Sequence, residues 1–181
     1  MSHRIRRPHT GLIVVDLQAM LLPAIWEKDR VLHQSLTLAR GAQALGLPVA
    51  VTEQYPRGLG PTAPEFATAI PNFSPIEKLT FSSLTPEVRD WLDQHAIHDV
   101  ILCGIETHVC VTQTALELLD LGKRVFVAAD ACSSRNEGNW HLGRERMTAA
   151  GAIPASVEML LFELLKRAGT DEFKEILKLV K

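Results

Sequence analysis

The sequence predicts an α/β fold: a single domain built on a doubly wound, mostly parallel six-stranded sheet with helices on both faces. Three observations carry that expectation. Short β-branched apolar runs of strand length alternate along the whole chain with longer segments of helical periodicity. Those runs lack the apolar/polar alternation of a half-exposed strand, so they read as strands buried on both faces. A chain of 181 residues, 46% of them hydrophobic, can bury one substantial core, so one domain over 1–181 is the expected organisation.

Residues 1–9 of the basic opening MSHRIRRPHT read as a ragged leader, since the apolar run after it is too short for a secretory signal. Gly11 to Asp16, GLIVVD, is a central parallel strand with Asp16 at its carboxyl end. A loop through Leu22 and Trp26 leads to a helix over Arg30 to Leu45, stopped by Gly46. Pro48 to Thr52 is the second strand. RGLGPTAPEFATAIPNFSP, rich in Gly and Pro, is an ordered surface loop with one helical turn near Pro64 to Ala69. Ile76 to Leu79 is a short third strand. Thr85-Pro86 starts a helix that runs to His95, with Thr85 as N-cap and Pro at the first helical position. Val100 to Cys103 is the fourth strand, and a helix capped by Thr107 follows it. Arg124 to Ala128 is the fifth strand. After it come a helix over Asn139 to Ala150, a short strand near Ala152 to Ala155, a helix from Ser156 to Arg167, and a C-terminal helical tail within 168–181.

Composition bounds the function. The net charge of −2 and pI near 6.4 give no electrostatic reason for a nucleic-acid or membrane partner. No apolar stretch reaches the length of a membrane span. Three cysteines at irregular spacing argue for a reducing, cytoplasmic setting over a disulfide framework.

The chemistry centres on HDVILCGIETHVCVTQTALELLDL, from His98 to Leu121. With Thr107 as N-cap, Cys110 is the third helical residue. Unpaired N–H groups and the positive helix end there favour an anion, so its thiol is expected to lose a proton more easily than a free cysteine. Such a sulfur can act as a nucleophile, or Cys110 can be an inert core residue. In doubly wound sheets the ligand site lies beyond the carboxyl ends of the strands. Asp16, Glu53, Lys78, Cys110 and Asp130 all fall at or just past such ends. Asp16 is placed to serve as a base, and Lys78 to stabilise both anions. Cys103 and Cys132 read as packing residues, and His98 and His141 as surface residues.

VVDLQ around Asp16, EKLTFSS around Lys78 and CGIETHVCV around Cys110 resemble, in order and separation, the three motifs of the isochorismatase-like cysteine hydrolases. The similarity runs from Gly11 to Leu165. TEQYPRGLGPT, Thr52 to Thr62, resembles the branch called isochorismatase domain-containing proteins. The resemblance implies a Rossmann-like isochorismatase-like hydrolase fold, a Cys110 nucleophile, an Asp16 general base and acid, and a supporting Lys78. It also implies a cis peptide between Ile105 and Glu106, an oxyanion hole made by the backbone N–H groups of Glu106 and Cys110, and a homo-oligomer. Family nicotinamidases hold a metal through an Asp-x-His pair where this chain has Glu53-Gln54-Tyr55, so no metal and no cofactor are expected. The implied reaction is cleavage of a C–N bond in a small-molecule amide through a thioester. Two alternatives stay open: a cysteine-independent vinyl-ether hydrolase using Asp16 and Lys78, and a silent binding or scaffold protein. Leu22, Trp26, Tyr55, Phe81 and Trp140 are the candidate walls of a substrate pocket. His108 touches substrate or caps the helix, the second being favoured. Asp130 is expected to hydrogen-bond the loop Ser133-Ser134-Arg135.

Overall fold

A computed structural model describes residues 4–181. In chain order its elements are β1 (Thr10–Val15), α1 (Lys28–Ala44), β2 (Val49–Gln54), α2 (Pro56–Leu59), α3 (Pro64–Ala67), β3 (Ile76–Lys78), α4 (Pro86–Gln94), β4 (Asp99–Ile105), α5 (Thr112–Asp120), β5 (Arg124–Ser133), α6 (Glu137–Ala149), β6 (Ile153–Ala155), α7 (Val157–Leu165) and α8 (Asp171–Val180). The strands form one six-stranded sheet in the order β3-β2-β1-β4-β5-β6, every pairing parallel. Every residue of β1 and β4 is buried, which is why GLIVV and VILC read as unbroken apolar runs. The helices form two packed groups, α1 with α7 and α8, and α5 with α6. Strand order reverses between β1 and β4, and ligands of such sheets bind at the carboxyl side of that reversal.

Local chemistry fixes the helix starts. Thr85, Asn136, Ser156 and Thr170 each accept a backbone N–H three residues on, satisfying a donor that the helix itself cannot pair.

Three sequence expectations are corrected. Residues 4–9 are anchored to the domain through Ile5 and Arg7, while 1–3 lie outside the described residues. Ile5 is buried, its N–H donates to Glu163 Oε2 at 3.2 Å, and the Arg7 guanidinium grips both oxygens of Glu172 at 3.0 and 2.7 Å. One apolar anchor and one bidentate ion pair suffice to tie the segment down. The loop expected after Tyr55 contains α2, started by Pro56. The fifth strand runs on to Ser133, because a register shift between Leu102 and Gly104 lets β5 keep pairing with β4.

Candidate active site

Asp16 ends β1 with a left-handed φ of 52°, a conformation that Asp tolerates better than most residues. Its side chain is almost wholly buried. Oδ1 accepts the Thr52 hydroxyl at 2.8 Å, and Oδ2 lies 2.7 Å from Lys78 Nζ. The Oδ2 approach is off the hydrogen-bond axis, so that oxygen is matched by charge. Lys78, last residue of β3, is equally buried. Its ammonium also donates to Gln54 Oε1 at 2.7 Å, Phe81 O at 3.1 Å and Thr80 O at 3.3 Å.

Cys110 arrives from β4 and is 7% exposed. Gly104 makes the approach possible: its φ is +118°, and a Cβ there would sit 2.0 Å from Val15 O on the neighbouring strand. The Ile105–Glu106 peptide is cis. Thr107–Val111 then form a single π-helical turn before α5, a device common at functional sites. Gly143 of α6 packs onto this turn, where a Cβ would fall 2.9 Å from the His108 backbone. The thiol lies close enough to Asp16 and Lys78 for both charges to act on it. A polar chain links the two sides of the site. Thr114 Oγ1 donates to Cys110 O at 2.7 Å and accepts Ser83 N–H at 2.8 Å, and the Ser83 hydroxyl is 3.3 Å from that of Thr52.

The turn departs from the expected cap. Thr107 is its first residue, and the Thr107 hydroxyl donates to Ser133 O at 2.9 Å rather than to the helix start. Cys110 is therefore the fourth residue. The expected acidification of its thiol is overturned. Burial, then the neighbouring Asp16 carboxylate, push it up to about 12, with Lys78 opposing. Burial also raises the Asp16 carboxyl above its ordinary value, against the pull of the Lys78 charge and of the hydrogen bond from Thr52. Cys103, wholly buried, is likewise pushed up to about 12, chiefly by burial.

The other singled-out residues scatter. Glu53 points away from Asp16 and Lys78: the pleat turns it to the opposite side from Thr52 and Gln54, and its Oε1 accepts the Thr62 N–H and hydroxyl at 2.6 and 2.7 Å. Asp130 lies within β5 and accepts Val157 N–H at 2.9 Å, at the start of α7 rather than in the loop Ser133–Arg135. Leu22, Tyr55 and Trp140 border cavities of about 230, 370 and 420 Å3 respectively. Trp26 and Trp140 pair at 5.4 Å, with the Arg30 guanidinium over both rings. Phe81 is half-exposed beside Lys78. His108 does not cap the helix: Nδ1 lies 2.9 Å from Ser134 Oγ and Nε2 lies 3.3 Å from the Asn139 amide nitrogen. Glu106 takes both the backbone N–H and the Nε of Arg135 on one oxygen. Among the described residues no cluster of His, Cys, Asp or Glu is placed to hold a metal.

Thr52, Gln54, Ser83 and Thr114 escaped the sequence reading. The alternation of side chains at the end of β2 was the available signal, since it sends 52 and 54 one way and 53 the other.

Residues 10–159 match the isochorismatase domain model. The chain belongs to the isochorismatase-domain family. It is 41% identical over 180 residues to the secreted isochorismatase effector Isc1 of Phytophthora sojae, covering 96% of this chain and 86% of that one. Identity to the mouse isochorismatase domain-containing protein 2A is 38% over 171 residues, 94% of this chain and 82% of the relative. Among solved structures in this isochorismatase-domain fold, the MAR1 ribonuclease of Caenorhabditis elegans superposes with a TM-score of 0.93 at 38% identity, covering 98% and 92% of the two chains. YcaC of Escherichia coli, described as an octameric hydrolase of unknown specificity, gives 0.90 at 25% identity over 99% and 91%.

Proposed function

We propose that this isochorismatase-family hydrolase is a metal-independent cysteine hydrolase that cleaves the C–N bond of a small amide through a thioester. The observation that carries this reading is the buried Asp16–Lys78 ion pair at the β1/β4 reversal, near enough to the Cys110 thiol for both charges to act on it. A thiol pushed up to about 12 rests protonated, so attack needs a base in contact with it. Asp16 takes the proton as sulfur bonds to the amide carbon. The backbone N–H groups of Glu106 and Cys110 hold the resulting oxyanion. When the C–N bond breaks, Asp16 returns the proton to the leaving nitrogen, leaving a thioester on Cys110. Asp16 next deprotonates water, the hydroxide attacks the thioester carbon, and the acid leaves as the thiol is re-protonated. The Lys78 ammonium beside Asp16 favours its ionised form between steps.

The octameric state of YcaC supports a homo-oligomer here as well. The three cysteines are unpaired, as a reducing compartment such as the cytoplasm leaves them. No helix among the described residues is long and apolar enough to cross a membrane.

The test is ammonia release from a panel of short-chain primary amides, with acid-quenched intact mass read in parallel. The expected result is an acyl adduct on Cys110 and a loss of at least about a thousandfold in Cys110→Ala. Undiminished turnover in Cys110→Ala would instead favour cysteine-independent chemistry on Asp16 and Lys78.

A further inference from the structure

Strand β2 supplies no group to the proposed chemistry, yet two side chains on one of its faces touch both charged partners. Thr52 holds Asp16 Oδ1 at 2.8 Å, and Gln54, two residues on, holds the Lys78 ammonium at 2.7 Å. The Gln54 amide cannot be turned around. Its Nε2 donates to Leu79 O at 3.0 Å, so a flip would aim the NH2 group at an ammonium and the oxygen at a carbonyl. Its backbone is clamped too: Gln18 accepts the Gln54 N–H at 2.8 Å and donates to the Gln54 carbonyl at 3.0 Å, with a second donation to Gly60 O at 2.6 Å.

Lys78 has three protons to place. Its acceptors at 3.1 and 3.3 Å are carbonyls of the loop leaving β3, Phe81 and Thr80, and that loop exposes the Leu79 and Phe81 side chains. The two contacts at 2.7 Å come from Asp16 and Gln54, residues at the ends of paired strands in the middle of the sheet. Among the described residues, only Gln54 therefore ties the ammonium rigidly to the sheet without being its counter-charge.

We infer that Gln54 is a positioning residue: it fixes the Lys78 ammonium between Asp16 and Cys110, and through Lys78 it sets how readily the thiol gives up its proton. The inference rests on the proposed cysteine chemistry. At a pH below the thiol's pKa, the thiolate fraction falls tenfold for every pH unit by which that pKa rises, so alkylation rate reports the effect directly. Gln54→Glu keeps the reach and adds a carboxylate beside the ammonium. Gln54→Leu removes the acceptor.

The experiment measures site-resolved alkylation of Cys110 by iodoacetamide from pH 8 to 10, with N-acetylcysteine in the same tube as reference and thermal unfolding of each variant alongside. Gln54→Glu and Gln54→Leu are each expected to slow Cys110 by at least about threefold, which corresponds to a thiol pKa higher by about 0.5. In a Lys78→Ala background, Gln54→Leu is expected to change nothing further, because its effect passes through the ammonium. Unaltered rates with a lowered unfolding midpoint would overturn the inference and leave Gln54 a structural amide. Equal slowing in both backgrounds would overturn it too. If Asp16→Asn and Lys78→Ala also leave the rate unmoved, the cysteine chemistry itself falls and takes the inference with it. Should Lys78→Ala fail to fold, the rates of the two single Gln54 variants decide the matter alone.

Discussion

Two ion pairs stand at opposite ends of the same sheet, and they do different things. At the amino end, Asp99 opens β4 opposite Arg124 on β5. The guanidinium spans the carboxylate, Nε to Oδ1 at 2.7 Å and Nη2 to Oδ2, while the Arg6 N–H also reaches Oδ2 at 3.2 Å. Fork meets fork, so the guanidinium takes both carboxylate oxygens at once. At the carboxyl end the cation is a lysine, a point charge that cannot span both oxygens, and both partners are sealed from water. Asp16 is thereby left with an oxygen matched by charge and adjacent to a thiol. Burial of opposite charges is common to both ends. What separates the tie from the proposed reactive centre is the third group and the choice of lysine over arginine.

Removing one partner should expose the difference most strongly. Lys78→Ala strands a fully buried carboxylate and is expected to cost about 3–5 kcal/mol in urea unfolding. Arg124→Ala, whose side chain is 27% exposed and whose partner keeps the Arg6 N–H, should cost about 1–3 kcal/mol. Equal losses would erase the distinction. Replacing both partners sharpens it: Asp16→Leu with Lys78→Met should keep most of the stability while abolishing amide turnover. Asp99→Leu with Arg124→Met should leave turnover intact, read as ammonia release by the two double variants. Thr52→Val, which removes the donor on Asp16 Oδ1, is expected to cost about 1–2 kcal/mol by the same unfolding assay. Smallest of all, Asp130→Asn should stay within about 1 kcal/mol and leave the alkylation profile of Cys110 where it is, since the Asp130 carboxylate serves the start of α7 rather than the thiol. A change in that profile would reconnect Asp130 to the site.

The fold was legible because its signals are local and redundant. GLIVVD and VILC state their own burial, and Thr85-Pro86 and Ser156 state where helices begin. Asp16, Lys78 and Cys110 were legible for a related reason: each ends or follows a strand, and parallel strands bring their carboxyl ends together. The thiol's proton affinity was not. A capped helix start argues for a lowered value, but burial and the Asp16 carboxylate are contacts made by distant segments, and they dominate. The same limit hid Gln54, whose partners Lys78, Leu79 and Gln18 lie on other stretches of chain.

The central claim is that Asp16 and Lys78, with opposite effects, set how tightly the Cys110 thiol holds its proton. The direct measurement is the rate of iodoacetamide alkylation at Cys110 against pH, in the wild type, Asp16→Asn and Lys78→Ala. With the thiol pushed up to about 12, the wild-type rate should climb with pH well past the range of a free cysteine. Asp16→Asn removes the charge that raises the thiol, so its curve should move to lower pH. Lys78→Ala removes the charge that lowers it, so its curve should move higher. Three superimposed curves, or displacements in the opposite order, would contradict the claim.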